Sequence, residues 1–161
     1  MAMFKKILAG LDSRETCAVV FKEALRLAQV TGAELQLIGV IGPVDSLSPP
    51  ILAESGKSYN LPNKDQSVWN VYQDLHQEFA DKEQVRLNSF AEQAKAAGVA
   101  TEFVQRVGNP GQAICQQAQE SEADVIMVGS HGRTGLSELL IGSVSNYVLH
   151  HAPCSVFVLR K

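Results

Sequence analysis

One stretch near the end of the chain constrains the fold most, because an apolar run passes there directly into a glycine-rich turn. Residues 125–128 contain no polar side chain, and Gly129 and Gly132 follow them. The pattern then becomes helical and contains a second small pair, Gly142 and Ser143. Such a run is typical of a strand buried on both faces of a parallel sheet. Backbone N–H groups point outward in a strand–turn–helix unit, so the stretch predicts a site for the phosphates of a nucleotide.

The rest of the chain alternates between short apolar strands and amphipathic helices. Strand patterns occupy residues 4–11, 33–41, 99–107, 125–128 and 154–159. Helical spacing of apolar residues occupies residues 15–31, 65–97, 113–118 and about 136–150. The second helical segment is either one long helix or two abutting ones. This order predicts a single doubly wound α/β domain over residues 1–161, with a parallel sheet and helices on both faces.

Composition and charge fit one soluble globular domain. The 161 residues are 45% hydrophobic and 19% charged, with a formal net charge of −3. That balance predicts no broad attraction to nucleic acid or to an anionic membrane. No run approaches the roughly 20 apolar residues of a membrane span, and the N-terminal apolar stretch is too short for a secretory signal. Three widely spaced cysteines indicate core residues in a reducing compartment, so we expect a cytoplasmic protein.

Residues 43–63 interrupt the alternation. They hold four of the six prolines, separated by serines, and sustain no period. Because this insertion follows the carboxyl end of a strand, it belongs to the edge where open α/β sheets bind ligands. A lid and a variable surface loop both fit it. Trp69 and Tyr72, early in the next helix, either form an aromatic wall beside the insertion or pack the loop onto the helix.

The spacing of the glycines separates this site from the common phosphate loops. The pattern G-x2-G-x9-G-S that begins at Gly129 contains neither G-x-x-x-x-G-K-[ST] nor G-x-G-x-x-G. The acidic balance and the α/β order argue against an RNA-binding G-x-x-G loop. A bare G-x-x-G would indicate a turn alone, and the distant Gly-Ser pair favours binding. Arg133 supplies a cation for phosphate oxygens, and the hydroxyls of Ser143 and Ser145 supply donors.

In this combination of motifs the chain resembles the ATP-binding members of the universal stress protein family. The glycine signature lies within MVGSHGRTG, and the first strand reads KKILAGLD and ends at Asp12. The segments VGNP from Val107, ADVI from Ala123 and APCSVFV from Ala152 match as well. The resemblance covers nearly the whole chain apart from about residues 43–80. It implies a five-stranded parallel sheet in the order 3-2-1-4-5.

The resemblance implies roles for the residues at the end of the first strand. Asp12 would contact the nucleoside and a metal ion, and Gly10 and Leu11 would line the same edge. Many members of the family have Pro or Val, and then Thr or Ser, where this chain has Gly10 and Leu11. A hydroxyl near the base is therefore missing from this sequence.

Further roles are implied on the other strands and on the last helix. Val40, at the end of the second strand, would face the adenine, and Val128 and Gly129 would border the base and the ribose. The phosphates would be surrounded by Gly132, Arg133, Gly142, Ser143, Val144 and Ser145. The implied ligand is ATP, ADP or AMP with Mg²⁺ held mainly by phosphates, and the residues leave a cyclic nucleotide open.

Partners follow from the same resemblance. The family usually forms homodimers through its last strand, here residues 155–159. Pairing is physically sensible, because a bare apolar edge strand invites aggregation. The sequence does not identify the protein partner that a regulator would bind.

Evidence for catalysis is weaker than evidence for binding. Asp12 and His131 are the candidates for a base or a positioned acid, and His131 also fits a loop residue that caps or packs. His76 stands alone, and His150 and His151 lie at a helix end, where cations suit the helix dipole. Three functions stay open: a dimeric nucleotide-binding sensor or regulator with at most slow hydrolysis, an ATPase or nucleotidyl transferase with a lid, and an interaction module without nucleotide affinity.

Overall fold

A parallel five-stranded sheet forms the centre of the molecule. The computed structural model describes residues 3–12, 16–41, 66–130 and 141–160. The strands are β1 Lys6–Gly10, β2 Glu34–Ile41, β3 Thr101–Val107, β4 Val125–Gly129 and β5 Ser155–Leu159. They lie in the order β3-β2-β1-β4-β5, and every pair of neighbours is parallel. The predicted fold class and strand order are therefore confirmed.

Helices cover both faces of the sheet. They are α1 Thr16–Thr31, α2 Gln66–Ala96, α3 Pro110–Glu120 and α4 Ser143–His151. α1 and α2 pack on one face, where their apolar residues share a core with Ile7, Leu35 and Val125. α3 and α4 pack on the other face, where their apolar residues share a second core with Leu8, Ile38 and Ile126.

The two cores explain why the strand patterns contain few polar residues. Successive side chains of a strand point to opposite faces, so a strand covered on both faces needs apolar residues at nearly every position. Leu8 and Ile126 are fully buried on one face, as Ile7 and Val125 are on the other. Gln36 is the exception in β2, since it is polar and only 5% exposed.

The long helical segment is one continuous helix of 31 residues. Leu87, Ala91 and Ala94 form its buried stripe at a spacing of four and three residues. Val85, an apolar residue of the same predicted helix, lies outside this stripe and is 71% exposed. Two residues before Leu87 correspond to a rotation of about 200° around a helix, which places Val85 on the opposite side.

The beginning of the last helix also differs from the prediction. The apolar spacing predicts a helix from about residue 136, with Gly142 a turn or two inside it. In the structure Gly142 is the N-cap, with φ −58° and ψ 157°, and α4 begins at Ser143. Ile141 and Gly142 are not helical, so an apolar spacing that continued across them was misleading. The prediction of where this helix starts is wrong.

Two glycines end helices of this fold. Gly32 follows α1 with φ 71°, and Gly98 follows α2 with φ 83°. Residues that carry a side chain rarely adopt this left-handed backbone conformation, so glycine is the usual residue there. The N–H group of Gly32 donates to the carbonyl of Ala28 across 2.8 Å.

Some predictions lie outside the described residues. The proline-rich insertion at 43–63 is one of them, and the side chains of Trp69 and Tyr72 are others. Among the residues described, no helix combines the length and the apolar character that crossing a membrane requires.

Candidate functional site

The candidate site lies where the chain leaves β1. β1 lies between β2 and β4, and the strand order changes direction at β1. β2 and β3 lie on one side of it in the sheet, and β4 and β5 lie on the other. In open α/β sheets, the crevice outside the carboxyl ends of the strands at such a switch point is the usual ligand site. The N–H group of Leu11 donates to the carbonyl of Ile38 across 2.9 Å, which extends the sheet by one residue. Asp12 follows, half-buried, at the rim of the crevice.

Four predicted residues meet at this edge. Gly10 pairs in register with Ile38, so Val40 lies just beyond it on β2. A Cβ atom at Gly10 would lie 3.1 Å from Cγ1 of Val128, on the neighbouring strand. Gly129 ends β4 one residue later. The structure therefore brings Gly10, Val40, Val128 and Gly129 together at one edge, as the prediction requires.

Ile114 of α3 is a neighbour of this edge that the sequence did not reveal. Its Cδ1 atom would lie 3.1 Å from a Cβ atom at Gly10, and the residue is buried. The absence of a side chain at Gly10 lets Ile114 and Val128 close the space beneath the crevice. This packing gives a physical reason for glycine at position 10.

Gly129 makes a similar close contact on the opposite face of the sheet. A Cβ atom there would lie 3.3 Å from Cβ of Thr16 and 3.4 Å from Cγ2 of Val20. Separations near 3.3 Å are tighter than ordinary van der Waals contact, so the first turn of α1 packs directly on the backbone of β4. Gly129, the first glycine of the signature, therefore allows α1 to pack closely on the sheet.

Thr16 also reaches the carboxylate of Asp12. Its hydroxyl Oγ1 donates to Oδ1 of Asp12 across 3.4 Å, a long hydrogen bond in a half-buried position. Thr16 begins α1, so one side chain contacts the ends of both β1 and β4. The sequence pattern did not reveal Thr16, and its position four residues after Asp12 was the only signal available.

The thiol of Cys17 and the guanidinium of Arg86 form a pair close enough to Asp12 for its charge to act on the thiol. Nη1 of Arg86, on α2, donates to Sγ of Cys17 across 2.8 Å, and Arg86 also pairs with Glu83 at 2.6 Å. Burial raises the pKa of the Cys17 thiol above its ordinary value, and although Arg86 acts in the opposite direction, Asp12 adds to the increase. The thiol therefore stays protonated at neutral pH, and Cys17 packs in the core beneath α2.

The start of α4 forms the other side of the candidate site. The carbonyl of Gly142 accepts the N–H group of Asn146 across 2.8 Å and the hydroxyl of Ser145 across 2.9 Å. Ser145 is buried, Val144 is half-buried and Ser143 is exposed. The hydroxyl of Ser145 therefore donates within the chain and fixes the N-cap. Gly142 itself has no side chain with which to cap the helix.

The direction of α4 places this start at the crevice edge. β4 ends at Gly129 on the carboxyl edge, and β5 begins at Ser155 beside Val125 on the amino edge. α4 lies between them in sequence and ends at His151, so it runs from the carboxyl edge to the amino edge. Gly132, Arg133 and His131 belong to residues 131–140, which lie outside the described part of the chain.

The described histidines do not form a metal site. Nδ1 of His151 lies 2.8 Å from the carbonyl oxygen of Tyr147, and the two rings stack with centroids 4.0 Å apart. Across residues 3–12, 16–41, 66–130 and 141–160, no three His, Cys, Asp or Glu side chains are grouped closely enough to hold a metal ion.

A polar hollow at the opposite edge of the sheet is not the candidate site. It measures about 250 Å³ and lies at the amino ends of β1, β2 and β3. Its polar groups are engaged with one another: Nζ of Lys6 lies 3.8 Å from Glu34, and Gln36 donates to Glu102 across 2.6 Å. It also lies away from the carboxyl ends, where ligands bind in sheets of this kind.

Comparison with known protein families matches residues 3–160 to the universal stress protein family. The chain is 31% identical over 161 residues to the universal stress protein Sll1388 of Synechocystis, and the alignment covers 98% of each protein. It is also similar in structure to the universal stress protein UspA of Lactobacillus plantarum, with a TM-score of 0.77 and 23% identity over 99% of this chain and all of that one.

Two further similar structures contain adenine nucleotides. One is a universal stress protein in complex with cAMP, with a TM-score of 0.62 and 22% identity over 98% of this chain and 97% of that one. The other is the universal stress protein of Archaeoglobus fulgidus in complex with dAMP, with a TM-score of 0.60 and 16% identity over 98% of both chains. At these identities the likeness establishes the shared fold.

Proposed function

The chain is a member of the universal stress protein family, and we propose that it binds an adenine nucleotide at the carboxyl ends of β1 and β4. The ligand is ATP, ADP or AMP, and the protein acts as a dimeric sensor or regulator of a stress response. Hydrolysis of ATP is at most slow. The cAMP and dAMP bound by two similar structures support the choice of adenine nucleotides.

The start of α4 is the observation that supports this proposal most. The first hydrogen bond of the helix joins the N–H group of Asn146 to Gly142. The N–H groups of Ser143, Val144 and Ser145 therefore precede the helical ladder and have no acceptor within the helix. They lie at the positive end of the helix dipole, at the same edge as the crevice. Phosphate oxygens are the ligands that such an end accepts.

The nucleoside occupies the crevice in this proposal. Val40 borders the base, and the carboxylate of Asp12 accepts a hydrogen bond from the ribose. Leu11 and Val128 are each only 3% exposed, so they support the strand ends through packing. Ser145 acts by holding Gly142, because its hydroxyl already donates to that carbonyl. Gly132 and Arg133 complete the phosphate side.

A magnesium ion in this site would be held mainly by phosphate oxygens. Asp12 is the one acidic side chain that the sequence places at the end of β1. Mg²⁺ keeps several waters and takes one or two carboxylates together with phosphates, so a single carboxylate is sufficient. Removing Mg²⁺ therefore weakens ATP binding more than AMP binding.

Calorimetry with ATP, ADP, AMP and cAMP, each with and without Mg²⁺, tests the proposal. We expect Gly142→Val to abolish nucleotide binding, because its side chain fills the space in front of the N–H groups of the first helical turn. The control is Ala100→Val, which adds similar bulk at an exposed position on the amino edge. Circular dichroism and thermal melting establish that both variants fold. Nucleotide binding by a folded Gly142→Val protein as tight as that of the wild type would refute the phosphate assignment.

The same titrations separate the proposal from the two other functions. An interaction module without nucleotide affinity gives no heat with any of the four nucleotides. An ATPase gives turnover of about 1 s⁻¹ or faster, the range typical of enzymes, and loses it in Asp12→Asn. We expect neither result for this protein.

A further inference from the structure

The side chain of Thr16 lies between the two strand ends that form the crevice. Its Oγ1 atom is 3.4 Å from Oδ1 of Asp12, which follows β1. Its Cβ atom would be 3.3 Å from a Cβ atom at Gly129, the last residue of β4. Any side chain at 129 would push Thr16 away or hold α1 farther from the sheet. The absence of a side chain there is what allows the hydroxyl to approach Asp12.

Two features hold Thr16 in place. It is the first residue of α1, whose next turns are anchored by Cys17 and Val20, both buried in the core. Threonine is branched at Cβ, and this restricts its χ1 angle. Its hydroxyl is therefore carried by a rigid support next to Asp12, which follows the last paired residues of β1.

We propose that Thr16 is a positioning residue that orients the carboxylate of Asp12 toward the crevice, and that Gly129 contributes by leaving room for Thr16. This inference rests on the proposed nucleotide site. It gives the first glycine of the signature a role that does not involve phosphate. Thr16 acts on the nucleoside end of the ligand, through Asp12, whereas the start of α4 acts on the phosphates.

A ligand-free measurement tests the orientation directly. Three-bond Hα–Hβ couplings of Asp12, measured by NMR, report whether its side chain holds one rotamer. We expect one rotamer in the wild type and in Thr16→Ser, which keeps the hydroxyl. We expect averaged couplings in Thr16→Val, which has the same shape and lacks the hydroxyl. Identical couplings in the wild type and Thr16→Val would overturn the proposal. Thr16→Ala takes the place of Thr16→Val if the latter does not fold.

Affinity measurements then test the consequence for binding. We expect Thr16→Val to weaken ATP and AMP by the same factor, about fivefold, the typical effect of one lost hydrogen bond. Thr16→Ser keeps wild-type affinity within about twofold, as expected if the hydroxyl matters and the methyl group does not. In an Asp12→Ala background, which removes the acceptor oxygen, Thr16→Val has no further effect. An equal loss in both backgrounds would show that Thr16 acts independently of Asp12 and would refute the proposal.

The two experiments also keep this inference apart from the proposed function. If the wild-type protein binds none of the nucleotides, the proposed function fails. The couplings of Asp12 still decide whether Thr16 orients it.

Discussion

The two edge strands of the sheet, β3 and β5, differ in how their side chains are engaged. β3 carries polar residues that are tied to neighbouring helices: Gln105 donates to the carbonyl of Ala80 on α2, and Arg106 contacts Gln117 and Glu120 on α3. β5 is apolar from Val156 to Leu159. Phe157 is 40% exposed, and its ring contacts the ring of Phe4, with centroids 6.1 Å apart. Charged and bonded side chains protect an edge from pairing with other chains, and apolar ones invite it.

The backbone of β5 sharpens this difference. The carbonyl of Leu159 accepts the N–H group of Ser130 across 2.7 Å, so Leu159 directs its backbone groups toward β4. Successive residues of a strand direct these groups to opposite sides, and Val156 and Val158 therefore direct theirs to the outer edge. The outer edge of β5 thus combines apolar side chains with outward donors and acceptors. This arrangement supports the proposal that two copies of the chain pair through β5.

The largest effect that we expect from this difference is loss of the dimer in Val158→Pro. Proline removes an outward N–H group and leaves the bonds to β4 in place. Because a two-fold axis relates the two copies, the substitution removes two hydrogen bonds from the interface. At about 2 kcal/mol each, their loss corresponds to a roughly thousandfold higher dissociation constant of the dimer. Size-exclusion chromatography with light scattering measures the mass. The control, Val107→Pro on β3, leaves it unchanged, and an unchanged mass for Val158→Pro contradicts the β5 interface.

A medium effect is expected from the side chains that secure β3. Gln117 is buried, its Oε1 accepts from Arg106 across 2.6 Å, and its Nε2 donates to Gln36 across 3.1 Å. Gln117→Ala leaves a buried acceptor on Gln36 without its donor, so we expect a loss of about 2 kcal/mol in the free energy of unfolding. Urea denaturation measures it. The control Gln116→Ala, at an exposed neighbour, changes stability by less than about 0.5 kcal/mol. Equal effects of the two variants would mean that the network does not secure β3.

The smallest effect concerns pH and the β4 side of the sheet. Asp124, just before β4, accepts the backbone N–H groups of Lys5 and Lys6 at 2.7 and 2.9 Å. These hydrogen bonds lower the pKa of Asp124 below its ordinary value. A lowered folded-state pKa stabilises the protein fully above the unfolded-state value of about 3.9, and the contribution is lost as the pH falls through the folded-state value.

Asp124→Asn is therefore expected to be less stable than the wild type at pH 7 and to approach it in acid. Thermal melting of both proteins from pH 7 downward measures the difference. The amides of Gln36 and Gln117 behind β3 do not titrate, so Gln117→Ala keeps its deficit over the same range. A constant difference between the wild type and Asp124→Asn would contradict the role of the carboxylate.

Much of the fold could be predicted because the strands are buried on both faces. Residues 125–128 and the run that contains Ile7 and Leu8 need apolar side chains in succession, and that requirement is visible in the sequence. The glycines that end α1 and α2 were visible for a similar reason, because their conformation favours one residue type. Strand order came from the resemblance to a family and was confirmed.

The parts that failed depend on contacts between distant segments. The approach of Thr16 to Gly129 joins residues far apart in the chain, and no periodicity encodes it. The start of α4 was misplaced because apolar spacing continues through Ile141 and Gly142, although neither residue is helical. Gln36 did carry a signal: a polar residue inside a buried strand requires a partner, and that partner proved to be Gln117.

The contact between Gly10 and Ile114 links two positions that are far apart in the sequence. A side chain at 10 and the end of the side chain at 114 would compete for the same volume beneath the crevice. A close-packed interior conserves volume more strictly than it conserves residue type. Among relatives, a larger residue at position 10 should therefore accompany a smaller one at position 114. A glycine and a larger residue at position 10 are then alternative ways to fill one space, with the bulk supplied by the helix in one case and by the strand in the other.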